Sequence, residues 1–141
     1  RGRELGIADS VEYLDPVAPA ELLPHMAGAV ASLATIKPGT IYEYSYASKV
    51  FSSLAAGCPV LFSGPGPTGK VIEVANAQVH AGTAVEYDAS LVAAAMRDLA
   101  DHPATAQQRA ALSEYTAREH SMAAVASRVA DILHQVAKAR S

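Results

Sequence analysis

Apolar positions along this chain switch repeatedly between short continuous runs and helical spacing. Val11–Leu14 alternates and stops at Asp15-Pro16, which predicts a strand leaving into a loop. Ala18–Met26 predicts a short helix that Pro24 weakens. Ala29–Ile36 is an apolar run closed by Pro38-Gly39 and predicts a buried strand. Thr40–Ala47 is polar and aromatic without a period. Ser48–Ala56 predicts a helix ended by Gly57. Pro59–Ser63 predicts another buried strand, Gly64–Gly69 a glycine-proline loop, Lys70–Ala77 a short helix and Thr83–Tyr87 a strand.

The remainder reads as helical. Leu91, Val92, Ala95, Met96 and Leu99 form one stripe that His102-Pro103 interrupts. Ala104–Thr116 predicts the next helix. Ser121 can cap a long last one, with Met122, Val125, Val129, Ile132 and Val136 at helical spacing. Strands alternating with helices predict an α/β fold: Rossmann-like, three-layer α/β/α, with a parallel sheet and a helical C-terminus. Ligands in such sheets sit outside the carboxyl ends of the strands. That rule selects the loops Asp15–Val17, Pro38–Tyr46 and Gly64–Gly69.

Composition narrows the picture. The chain has 141 residues, half of them hydrophobic and 18% charged, enough for one folded domain spanning residues 1–141. Its net charge is −3 and it has no cluster of basic residues, which excludes a nucleic-acid surface. The longest near-apolar run, Ala27–Ile36, is shorter than a membrane span. The single cysteine, Cys58, excludes an internal disulfide and favours a reducing, cytoplasmic setting. Arg1–Gly6 reads as the end of a helix closed by glycine, so the chain is expected to be a piece of a longer protein.

Chemistry concentrates between Pro38 and Glu73. On the Ser48–Ala56 helix, Val50, Phe51, Leu54 and Ala55 share the face expected to pack on the sheet. Ser48, Lys49, Ser52 and Ser53 lie opposite, giving small hydroxyls and one cation near a helix start. A diphosphate or a ribose suits that end, and serines idle on a surface helix are the plain alternative. The run from Gly64 to Lys70 matches G-x-x-x-x-G-K, but it is not a P-loop. Val71 stands where a magnesium-binding hydroxyl is required, and Pro65 and Pro67 lack the N–H groups of a phosphate cradle. Close approach of a ligand to Gly64 and Gly66, or a plain strand-to-helix turn, both remain open.

Ser48-Lys49, the run Leu54-Ala55-Ala56-Gly57-Cys58-Pro59-Val60, Gly64-Pro65-Gly66 and Ile72-Glu73 together resemble the C-terminal domain of the group 1 (family 4) glycosyltransferases. Val11–Val17 is similar to that family's strand and loop, and Ala89–Ser141 to its closing helices. The resemblance implies the second half of a GT-B fold, built from two Rossmann-like domains, with the N-terminal acceptor domain absent. It implies transfer of a sugar from a nucleotide-diphosphate donor with retention, without a cofactor or metal. The implied partners are the nucleotide-sugar donor and, through the other half, a sugar or lipid-linked acceptor. Cell-envelope or exopolysaccharide assembly, in the cytoplasm or peripheral at the inner membrane face, is the implied setting. The implied donor-binding residues are Asp15, Ser48, Lys49, Ser52, Gly64, Gly66 and Glu73, with Glu43 and Lys49 as candidate catalytic groups.

The departures are specific. The family's paired glutamates would fall at Tyr44 and Ser52, with Glu43 one place from the first. A serine cannot hold two ribose hydroxyls as a carboxylate does. The family's basic pair usually lies upstream of the stretch present here, which leaves Lys49 as the nearest cation to stabilise a leaving diphosphate. A non-catalytic Rossmann-like binding domain is therefore one alternative. A sugar-nucleotide epimerase of the same fold is another, but it needs an acid/base set that this sequence does not supply. His25, Cys58, His80, His102, His120 and His134 show no metal-ligand spacing. Cys58 is expected to be buried and inert, and His80 to face solvent. Part of the last helix's stripe is expected to be exposed, a cause of dimerisation.

Overall fold

The computed structural model describes residues 2–139, so Arg1 of the expected helical end and Arg140 and Ser141 of the closing segment lie outside the described residues. Residues 2–6 form turns, with Gly6 at a φ of 68°. The main elements are α1 (Pro19–Gly28), β1 (Ser32–Thr35), α2 (Ser48–Ala55), β2 (Val60–Ser63), α3 (Thr68–Asn76), β3 (Gly82–Val85), α4 (Ala89–Asp101), α5 (Ala106–His120) and α6 (Met122–Ala139). Short 3-10 turns cover Ala8–Ser10 and Ile41–Tyr44.

The strands form one parallel sheet in the order β1-β2-β3, as the alternation of strand and helix predicts. Ser32 stands opposite Val60, and Val60 opposite Gly82. β2 is central and buried along its whole length. Its even-numbered side chains, Val60 and Phe62, join Ala34 of β1 and Ile36 just after it in the core. Val50 and Leu54 of α2, Ile72 of α3, and Leu112 and Tyr115 of α5 close over them. Full burial of a side chain such as Phe62 or Leu54 contributes about 2–3 kcal/mol. The odd-numbered Leu33 and Leu61 point the other way. They meet Met96 and Leu99 of α4 around a cavity of about 210 Å³.

Helix starts follow sequence logic. Asp88 accepts hydrogen bonds from the Ser90 and Leu91 N–H groups at 2.8 and 2.9 Å. Thr105 and Gln108 form a reciprocal capping box on α5. Ser121 caps α6, accepting from the Ala124 N–H at 3.1 Å, as expected. The α6 stripe is exposed, as expected in part: Val125, Val129, Ile132 and Val136 are each about half accessible.

Three expectations are corrected. Val11–Leu14 is not a strand; it has no regular secondary structure and every residue is exposed. Alternation makes a strand only where a sheet edge and a buried face are available, and these residues have neither. The described sheet therefore has three strands, not four. The strands are also shorter than their apolar runs, because each pairing spans only four residues. Finally, the buried face of α2 is rotated from the expected one. Ser53 is buried and Ala55 exposed, with Phe51 half-buried. Helix α2 packs against α5 as well as against strands β1 and β2. The Ser53 hydroxyl is satisfied by donating to the Lys49 carbonyl at 3.0 Å.

Arg109 ties these layers together. Its guanidinium donates to the carbonyls of Ala27 and Ala29 at the end of α1 and of Gly57 after α2, the Ala29 bond measuring 2.6 Å. Gly57 has a φ of 70°, and a Cβ there would stand 2.6 Å from the Arg109 carbonyl oxygen. The glycine predicted as a helix stop is thus also a contact point between α2 and α5.

Candidate functional site

The chain leaves β1 after Thr35, passes Lys37, turns through Pro38-Gly39 and the Ile41–Tyr44 3-10 turn, and enters α2 at Ser48. That path encloses a cavity of about 590 Å³ at the carboxyl end of β1. Its lining includes Thr35, Lys37, Tyr42, Tyr46, Ser48 and Lys49. Two of the sequence-predicted residues, Ser48 and Lys49, are therefore brought together here, at the position that the sheet rule selects. No side chain caps α2, and of the N–H groups in its first turn that of Val50 is taken by the Ala47 carbonyl at 2.9 Å.

The other predicted residues lie elsewhere. Ser52 is exposed one turn farther along α2. Asp15 is exposed on the extended stretch before α1. Glu43 turns back into its own loop, where its carboxylate accepts the Gly39 N–H. Glu73 lies on the exposed side of α3 and pairs with Lys70 at 2.8 Å. Both partners are about two-thirds exposed or more, and such a pair contributes little to stability.

Gly64 and Gly66 have a different role from simple openness. Their φ angles are 139° and 98°, which favour glycine. The space a Cβ would need at Gly64 is occupied by the Ile36 backbone, and at Gly66 by the Glu43 carbonyl. Close approach does occur at both glycines, and here the approaching group is the chain itself. The β2–α3 loop thereby seats the β1–α2 loop. Thr68, buried at the start of α3, accepts the Ala47 N–H at 3.0 Å and fixes the entry to α2.

Sequence reasoning missed Lys37 and Thr68. Lys37 had a usable signal, since it immediately follows a predicted strand at its carboxyl end. Thr68 had none, because its partner lies 21 positions away. Cys58 is buried, as expected, and burial pushes its thiol pKa up, opposed by nearby Arg109. A thiol held protonated in this way is a poor nucleophile. His80 is not simply solvent-facing: it is half-buried and its Nε2 is enclosed without a hydrogen-bond partner. It lies beside Asn76, Gln78 and Gly82, near the start of β3. Among the described residues, no helix is long and apolar enough to cross a membrane. Comparison of the chain with protein-family models, with curated proteins and with solved structures returns no match.

Proposed function

We propose that this chain is the donor-binding half of a retaining sugar-nucleotide glycosyltransferase, with the three-layer Rossmann-like architecture of a GT-B second domain. The observation that carries the reading is the coincidence of motif and cavity. Ser48 and Lys49, the first residues of the glycosyltransferase-like run, line the cavity at the carboxyl end of a parallel strand. The cavity is of the size that small-molecule sites commonly have. In this reading Lys49 stabilises charge on the departing diphosphate, and a second domain supplies the sugar or lipid-linked acceptor in the cytoplasm or at a membrane face.

The test is calorimetric titration with nucleoside diphosphates and their sugars. Binding at millimolar concentration or tighter is expected, with one base preferred. Lys49→Met should weaken it about tenfold, the loss of one charge-assisted contact. A chain that binds no nucleotide or nucleotide sugar at these concentrations ends the proposal.

One observation favours a second reading. Among the described residues no carboxylate lines the cavity, and Glu43 is engaged with Gly39. A binding domain without transferase activity accounts for this directly. It predicts nucleotide-sugar binding with neither hydrolysis nor transfer when the full-length protein, acceptor-binding half included, is given candidate acceptors, whereas turnover sets it aside.

A further inference from the structure

We infer that Lys37 and Lys49 form a two-cation clamp for a diphosphate, with one charge at the exit of β1 and the other at the start of α2. The inference deepens the donor-binding reading and rests on it, by naming the part of the donor that the cavity grips. Lys37 belongs to no motif in the sequence, and its role follows from placement.

The two lysines come from different elements yet line one cavity. Neither forms an ion pair among the described residues, whereas Lys70 is held by Glu73. The rest of the polar lining is hydroxyl-bearing, including Thr40, Ser45 and Ser48, and no Asp or Glu contributes. The chain as a whole carries a net charge of −3. Its cleft is thus positive against the sign of the molecule, which focuses an anion there. Both lysines are exposed residues bordering one cavity, and an anion bound between two such cations lowers their mutual repulsion. A lysine acts as a compact point charge on a flexible stem, so each can follow one phosphoryl group. A monophosphate engages such a pair less fully than a diphosphate.

The experiment is an amide-resolved NMR titration of the 141-residue chain with inorganic pyrophosphate and, separately, inorganic phosphate at low ionic strength. Pyrophosphate is expected to bind about tenfold more tightly than phosphate and to shift amides at positions 35–37 and 47–50. Lys37→Met and Lys49→Met should each weaken pyrophosphate about tenfold, while Lys138→Met, on α6, should match the parent. The spectra themselves report that each variant is folded. A Lys37→Met variant that binds pyrophosphate like the parent overturns the clamp and leaves the donor reading standing. Equal affinity for the two anions, shifts confined to other regions, or no pyrophosphate binding at all also overturns it. If pyrophosphate needs both lysines but no nucleotide sugar binds, the clamp stands and the donor reading fails.

Discussion

Two strand-to-helix junctions meet at the carboxyl end of the sheet, and they divide the work unequally. The β2–α3 junction has the more distinctive sequence, Gly64-Pro65-Gly66-Pro67, yet it is the packed one. Backbone fills the spaces at both glycines, Thr68 is buried and Lys70 is paired. The β1–α2 junction looks irregular in sequence, yet it borders the cavity and carries two lysines that form no ion pair among the described residues. The difference teaches that a glycine-rich loop beside a site can be its footing rather than its floor. A glycine supplies conformational freedom, and whether a ligand or a neighbouring chain uses the space is decided by what stands opposite.

The sharpest way to break this contrast is to add one methyl group to each junction. Gly66→Ala places a Cβ against the Glu43 carbonyl and strains a backbone at a φ of 98°. The expected loss is about 3 kcal/mol, from strain and from displaced backbone. Gly39, in the β1–α2 junction, also has positive φ, 78°, but nothing lies within 4 Å of where its Cβ would go. Gly39→Ala should therefore lose only about 1 kcal/mol, the conformational cost alone. Denaturant midpoints at unchanged slope measure both. Equal losses would mean that the β2–α3 loop is not packed against its neighbour.

A smaller effect is expected at the Thr68 side-chain bond that joins the junctions. Thr68→Val keeps the shape and removes the hydroxyl that accepts the Ala47 N–H. An unpaired N–H at the entry to α2 should lose about 1–2 kcal/mol. Hydrogen exchange at Ala47 should accelerate at the same time. Unchanged exchange there would show that α2 is positioned without Thr68.

Much of this contrast was legible in the sequence, though not its direction. The apolar run through Val60–Ser63, the helix after Ser48, its stop at Gly57 and the Ser121 cap all depend on neighbours in the chain, and all are found. The cavity lies beside one of the three loops that the carboxyl-end rule selects, and Ser48 and Lys49 line it. Partners distant in sequence were not legible. Ser53 is buried because α5 returns beside α2, and Arg109 gathers carbonyls from α1 and from Gly57. Val11–Leu14 shows the converse: alternation was present, but no edge or face received it.

The smallest effect lies behind the two junctions, where Tyr46, Pro67 and Val71 meet His120. The His120 ring stands edge-on to Phe51 of α2 at 5.2 Å and to Tyr115 at 6.0 Å. Burial lowers its pKa below the ordinary 6.5; Arg128 adds to that shift and Glu119 opposes it. The unfolded chain then binds the His120 proton more readily than the folded one. Linkage makes stability rise with pH between the folded pKa and 6.5, and fall as acid is added below 6.5. His120→Phe keeps a ring against Phe51 and removes the proton. The parent should therefore lose stability relative to this variant as pH drops below 6.5, with no divergence above neutrality. Denaturant midpoints for both proteins across that interval decide it. Parallel curves would mean that the imidazole behind the junctions is as open to water in the folded chain as in the unfolded one.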